Sequence, residues 1–377
     1  MKRLIALMTA LALVFLPGCG SAGTVYSNYR EVEQMLLIRT LGFDGGDNPL
    51  TLSVCGGEPT SENGVTRMSA SGQSITACMN RIQDYTDWEE LFYAHTQYLL
   101  VGQDRAAAGL SGILDYVESS QQLHTDTPLF VVRTGTAEEL VLHCGGEKSD
   151  ITQALDSLVR DSEKLGDGHT FTCGEIIASN AENGAALAPA VEAVPMTDVD
   201  PSAKEDQLTP LPAGYAILKD NTLAGILPQT DARGINLLLG EIGSGAFSIR
   251  SGTQTVSLVL SRGKVKLSPV WGEDGALTGI RADIKASAFV EETDPSGPPD
   301  RAELTESLET ELEQWVLHVL QAMADTEADF LGIGNRLRMQ DPKKWDAMPK
   351  AWAEVIGDLT FDVQAECEIV RTDELRG

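Results

Sequence analysis

Positive charge, histidine and long apolar runs are all scarce in this chain of 377 residues. Its 28 Lys and Arg stand against 56 Asp and Glu, a formal net charge of −28 at pH 7. Nucleic-acid binding needs clustered cations that release counterions from phosphates, so a chain this acidic is not expected to bind nucleic acid. Attachment by charge to an anionic lipid surface is disfavoured on the same ground. The five histidines, His95, His124, His143, His169 and His318, are scattered without the spacing of a metal site, and there is no Cys-x-x-Cys. Gly-x-Ser-x-Gly, His-Glu-x-x-His, Walker and Gly-x-Gly-x-x-Gly patterns are missing as well, so no catalytic residue, metal ligand or cofactor site is nominated. Beyond residue 18 no apolar run approaches the length that a membrane-spanning helix needs, about 20 residues.

What is present begins with an address. Residues 1–18 carry two cations, Lys2 and Arg3, then the apolar run Leu4 to Leu16, then small residues. This is the pattern of a secretory signal, too short to cross a bilayer permanently. Its end, Leu16-Pro17-Gly18-Cys19, resembles the bacterial lipobox, whose cysteine thiol receives a diacylglyceryl group and becomes the new N-terminus. Cys19 is therefore the expected lipidation site and the expected membrane attachment. Two acyl chains hold a protein on a bilayer stably, where one does so only marginally. The remaining Cys55, Cys78, Cys144, Cys173 and Cys367 are odd in number, so a disulfide framework cannot use them all. Cys78 in a helical pattern and Cys367 in a strand-like one read as small buried hydrophobes.

Periodicity predicts a mixed α/β or α+β fold of more than one domain, with β-sheets packed against helices. Tyr29 to Asp44 and Leu50 to Val54 flank a Gly-Gly-Asp-Asn-Pro turn and read as a hairpin. Ser74 is placed to cap a helix bearing Ile75, Cys78, Met79 and Ile82. Phe92 to Val101 reads as one buried strand, Asp104 as the cap of a helix reaching Val117, Pro128 to Val132 as a strand, and Thr136 as a helix cap. A short helix over 151–158 and a polar loop over 163–168 follow. The stretch 183–212, rich in Ala, Pro and acids, reads as an exposed connection between an N-terminal domain (19–182) and a C-terminal one (213–377) with room for two subdomains.

In the second half, 215–218 and 223–227 form a hairpin, a helix or turn lies near 230–239, and 256–261, 264–269 and 280–290 read as strands. The longest helix spans Ala302 to Thr326, with Leu304, Leu308, Leu312, Trp315, Val319 and Met323 on one face. Asp341-Pro342 starts another helix, with Trp345, Met348 and Trp352 on one stripe interrupted at Pro349; an alternating strand from Leu359 to Ile369 closes the chain. Gly240, Gly243 and Gly245 read as a flexible turn, and His95 as a residue that fixes the start of a strand by bonding backbone. Gly332 and Gly334 read as the points where the chain leaves the long helix and enters a short one.

Four segments in this order carry a resemblance. They are Arg30-Glu31-Val32-Glu33 through Gly42-Phe43-Asp44, Phe92 through Gly102 with Ala108-Gly109-Leu110, Tyr215 through Asp220 with Asp231-Ala232-Arg233-Gly234, and Ala328-Asp329-Phe330-Leu331-Gly332-Ile333-Gly334 followed by Trp345 and Trp352. Following a lipobox, they are similar to the Ger(x)C family, the lipoprotein C subunits of spore nutrient germinant receptors. The resemblance implies a non-enzymatic lipoprotein on the outer face of the spore inner membrane, with integral-membrane A-type and B-type subunits as partners. The alternative of another class is the substrate-binding lipoprotein of a membrane transporter, holding a small ligand in a cleft between domains. Loss of Lys2 and Arg3 with the leader makes the remaining body more acidic still. That body is expected to hang from acyl chains and stand off an anionic surface.

Overall fold

The computed structural model describes residues 35–370 apart from 47–48, 58–63, 89, 146–148 and 294–299. The leader, Cys19, the beginning of the first resemblance segment and Arg371-Thr372 lie outside the described residues. In chain order the first half contains β1 (Met35–Asp44), β2 (Leu50–Gly57), β3 (Val65–Gly72), α1 (Ile75–Asp84), β4 (Glu90–Phe92), β5 (Tyr98–Gly102), α2 (Gln103–Ala108), α3 (Ser111–Ser119), β6 (Leu129–Thr134), α4 (Ala137–His143), α5 (Ile151–Leu165), α6 (Cys173–Asn183) and β7 (Ala185–Pro195). The second half adds β8 (Leu208–Lys219), β9 (Thr222–Leu227), α7 (Ala232–Leu239), β10 (Phe247–Ser251), β11 (Gln254–Trp271), β12 (Leu277–Thr293), α8 (Arg301–Asp325), α9 (Ile333–Arg338), α10 (Pro342–Asp346), α11 (Trp352–Val355) and β13 (Thr360–Val370).

Nine strands form one mixed sheet of order β3-β2-β1-β5-β6-β7-β8-β9, with β4 paired to β1. The central pairs β1·β5, β5·β6 and β6·β7 are parallel and the flanks antiparallel. Parallel strands covered on both faces read as unbroken apolar runs, and Tyr98–Gly102 is buried at every position. Leu99, Val101, Leu129 and Val131 point into a core with α1, α2, α3 and α6. Tyr98, Leu100, Phe130 and Val132 point the other way, onto α4 and α5. The predicted α/β layering is thus present, and Ser74 and Thr136 cap their helices as expected: Ala77 N donates to Ser74 Oγ (3.1 Å) and Glu139 N to Thr136 Oγ1 (3.0 Å).

The stretch 183–212 is not an exposed connection. Its first part is β7, buried from Ala185 to Val191, and β7 pairs with β8 through eleven residue pairs, Ala185↔Lys219 to Pro195↔Leu208. Exposure is concentrated in the turn between them, around 196–207. Ala186, Ala188, Ala216 and Leu218 enter the first core, whereas Ala185, Leu187, Tyr215 and Ile217 enter the core of the second half. A strand buried on both faces loses its period-two signal, and Pro189 argues against an interior strand, so Ala-Ala-Leu-Ala-Pro resembles a linker.

Three smaller expectations also change. Phe92 to Val101 is broken by a 3₁₀ turn at Tyr93–His95, closed by Thr96 N and Thr96 Oγ1 donating to Tyr93 O (3.0 and 2.7 Å); His95 is exposed and fixes nothing. The helix expected from Asp104 to Val117 splits into α2 and α3 at Gly109, whose φ of +112° no side chain tolerates well, and Gly102 rather than Asp104 caps it. The 151–158 helix continues to Leu165 and ends at left-handed Gly166, consuming half of the expected polar loop.

The second sheet has the order β10-β11-β12-β13, antiparallel except for parallel β12·β13. The two strands expected at 256–261 and 264–269 are one 18-residue strand whose register shifts between Leu260 and Arg262. Helix α8 starts at the Asp300 cap and buries Leu304, Leu308, Leu312, Trp315, Val319 and Met323 against this sheet, as its spacing requires. It also lies along the free edge of β13. Ala365 N and Cys367 N donate to Glu313 Oε1 and Glu309 Oε1, both at 2.9 Å, and Arg301 Nη2 donates to Ile369 O at 2.7 Å. An edge that would otherwise offer unpaired backbone groups is closed by helix side chains.

Candidate functional site

Chemistry is thinly represented among the described residues. No group of three His, Cys, Asp or Glu side chains is assembled to hold a metal ion. Cys55, Cys78, Cys144 and Cys173 are buried free thiols and Cys367 is half-buried. Burial pushes the Cys55, Cys144 and Cys173 thiols up to about 12, which leaves almost no thiolate and no nucleophile. No described helix is long and apolar enough to cross a membrane.

Three places collect polar side chains. The first is the seam between the halves. Tyr215 on β8 is buried, its hydroxyl donates to Asn236 Oδ1 (3.1 Å) and accepts from His169 N. Gln229 bridges the same seam, accepting from Gly214 N (2.9 Å) and donating to Asp167 O (2.7 Å). Arg233 lies 5.3 Å over the Phe247 ring; burial lowers its pKa and raises that of nearby Asp167, and the attraction between the two opposes both shifts. The glycines of 240–245 have a different reason from the one expected. A Cβ on Gly243 would sit 2.0 Å from Gly166 N, and Ser244 N donates to Lys164 O at 3.0 Å. Gly243 and Gly245 permit two backbones to touch, while Gly240 is the left-handed cap that ends α7. A cavity of about 230 Å³ beside this contact is lined by Glu163, Gly168, His169, Asn236 and Glu241 among others.

The second place is Asp329, just beyond α8. This residue is 4% exposed, and its carboxylate accepts from Ile333 N (2.7 Å, Oδ1), Gly334 N (2.7 Å, Oδ2) and Trp352 Nε1 (3.0 Å, Oδ2). Burial raises its pKa, and the three donors oppose that rise. Gly332 supplies the left-handed turn, φ +63°, that folds the chain back under the carboxylate. Gly334 is required for space: a Cβ there would lie 2.6 Å from Trp352 Nε1. Trp345 and Trp352, expected on one helical stripe, sit on two short helices either side of Pro349 with ring centroids 5.6 Å apart. The fourth resemblance segment is therefore one clasp joining α8, α9 and α11. Asp44 on β1 is its counterpart in the first half, accepting from Ala137 N (3.0 Å) and Glu138 N (2.7 Å) at the start of α4, with burial again raising its pKa.

The third place is a margin of positive charge, which the net charge of the whole chain conceals. Residues 242–272 contain no Asp or Glu at all, although a stretch of that length at the chain's average acidity would hold several. Residues 333–350 carry Arg336, Arg338, Lys343, Lys344 and Lys350 against Asp341 and Asp346. The fold brings the two together: Gln340 Nε2 donates to Leu267 O (2.8 Å) and Lys344 Nζ lies 5.8 Å from the Trp271 ring centroid. Counting charge by segment, rather than over the whole chain, was the available signal.

A two-sheet mixed α/β protein, with helices on both faces of the first sheet and a helix-clasped second sheet, is the class these features define. Comparisons with known proteins agree. Residues 28–193 match the profile of the spore germination protein N-terminal domain, and residues 213–373 match that of the spore germination B3/GerAC-like C-terminal domain. The chain is similar to spore germination protein KC of Bacillus subtilis (strain 168), 22% identical over 408 residues, covering 98% of this chain and 96% of that protein. The crystal structure of the GerBC protein has the same fold, with a TM-score of 0.57 at 17% identity over 88% of this chain and 96% of the other. The chain belongs to the Ger(x)C family of spore germination proteins.

Proposed function

We propose that this chain is a non-enzymatic lipoprotein subunit of a spore nutrient germinant receptor, tethered through acylated Cys19 to the outer face of the spore inner membrane. It acts through contacts with integral-membrane A-type and B-type subunits rather than by turning over a substrate. The observation that carries this reading is the ordered match of both halves to spore germination profiles, which leaves little of the chain for any other activity. The Asp329 clasp supports it, because the family-like segment is occupied in building structure and not in presenting reactive groups.

Changing Cys19→Ala removes the two acyl chains and, with them, the attachment. The expected outcome is release of the protein from the spore membrane fraction together with loss of nutrient-triggered germination. Undiminished membrane retention with normal germination would overturn the reading.

A further inference from the structure

The positive margin is built on an open flank. Along the 18-residue β11, Val265 and Leu267 turn inward while Arg262, Lys264 and Lys266 are exposed. β10 pairs with β11 only up to Leu258, and beyond that α9 and the start of α10 lie along the strand, adding exposed Arg338, Lys343 and Lys344. Arg262, Lys264, Lys266, Arg338 and Lys343 form no ion pair with any described residue. Nearer β13 the same sheet neutralises its cations, Lys285 with Glu366 and Arg281 with Asp362, both at 2.8 Å. The acids bordering the margin are Asp283, paired in register with Lys266, Glu273 and Asp274 in the β11–β12 turn, Asp341 and Asp346 on α10, and Glu366 and Glu368, which line one cavity with Arg262 and Lys264; Glu366 is already taken up by Lys285. Two apolar tips stand among these cations, Met339 at 75% and Val270 at 39% exposure.

We propose that this margin faces lipid: it docks on the headgroups of an anionic bilayer and sets which side of the tethered protein meets the membrane. This rests on the reading of Cys19 as the anchor. Fifteen residues lie between Cys19 and the first described strand at Met35, a reach of up to about 55 Å when extended. That matches the roughly 50 Å diameter of a globule of this size, so the tether alone permits any face to approach the bilayer. Charge then selects. The acidic remainder is repelled within a Debye length of about 8 Å, whereas lysines and arginines near an anionic surface are attracted and an exposed methionine can enter the headgroup region.

The test uses the full acylated chain on vesicles, with Met339→Cys as the reporter and Tyr85→Cys, 67% exposed at the end of α1, as the control. Native thiols give little background, since four are buried and Cys367 is half-buried. Flotation reports the anchor and the rate of reaction with an aqueous maleimide reports the face. On phosphatidylcholine vesicles containing about 30 mol % phosphatidylglycerol, the Met339→Cys site should react about fivefold more slowly than on phosphatidylcholine alone, recovering in about 0.5 M salt. Adding Lys264→Glu, Lys343→Glu and Lys344→Glu should abolish the protection, and the Tyr85→Cys site should not respond. Equal rates on both vesicles, or protection that survives charge reversal, would overturn the proposal. So would protection that needs added membrane subunits instead of phosphatidylglycerol, which would make the occupant an acidic protein surface. If the chain fails to float, the anchor reading fails by itself; the margin then stands or falls on whether salt-sensitive co-sedimentation with the anionic vesicles persists.

Discussion

Replacing Asp329 by Asn keeps the volume of the side chain and removes half of its accepting capacity. Three N–H groups converge on the carboxylate, one on Oδ1 and two on Oδ2, with Asp329 4% exposed. An amide offers one oxygen and one NH₂, so at least one of these donors must face another donor. The less damaging orientation turns the NH₂ towards Ile333 N and leaves the oxygen for Gly334 N and Trp352 Nε1. A buried donor without an acceptor costs about 1–3 kcal/mol, and the two bonds that survive lose their charge assistance, so the total is about 2–4 kcal/mol. With an m-value of about 3 kcal/mol/M, equilibrium urea unfolding should show a midpoint lowered by roughly 1 M at unchanged slope. The pH dependence has a defined sign. The folded-state pKa of Asp329 lies above its unfolded value of 3.8. Between those two values the native state binds more protons than the unfolded one, so this group's contribution is greatest below the unfolded pKa and declines as pH rises through the folded pKa. The cost of Asp329→Asn should therefore shrink as pH is raised from about 4. A midpoint shift under about 0.3 M would refute the assignment of this carboxylate as a buried clasp, whereas a cost that grows with pH would mean that the three donors outweigh burial in setting its pKa.

Two further outcomes follow from the packing of α8 and β8. Glu309→Gln with Glu313→Gln removes the negative charges that, after burial itself, push the Cys367 thiol up to about 12. Reaction of Cys367 with a maleimide at pH 8 should accelerate severalfold without global unfolding, and an unchanged rate would mean that burial alone protects it. A fragment beginning at Ala213 contains everything matched by the C-terminal profile but lacks β7. It should not fold alone, because Tyr215 and Ile217 lose their strand partners Pro189 and Leu187; sharp amide NMR dispersion from that fragment would contradict this.

Legibility in the sequence followed the strength of the periodic signal. Helix α8 and strand β13 were readable because their apolar residues recur along one face while the other is charged. Strand β7 was not, since small residues buried on two faces show no alternation. The clasp was half-legible: Gly332 and Gly334 signalled a special turn, but Asp329 looked like one acid among many, and only the fold places Trp352 twenty-three positions away against it. Glu309 and Glu313 were hidden for the same reason, because four-residue spacing on the polar face of a helix reads as solvated charge until a strand edge is seen beside it.

Net charge illustrates how far a whole-chain quantity reaches. At −28 it describes the average field of the molecule, and as an average it argues for a body held away from anionic surfaces. Fields within a Debye length are set by the nearest few side chains, not by the sum. Because 242–272 is free of acids and 333–350 is enriched in cations, and because Gln340 and Lys344 bind the second stretch to the first, one margin gathers unpaired cations on a chain that is acidic as a whole. Global repulsion and local attraction then act together: the former disfavours approach of the acidic body as a whole, and the latter favours this margin. An acidic body with one basic margin is thus better suited to adopting a single orientation on an anionic surface than a neutral body carrying the same margin.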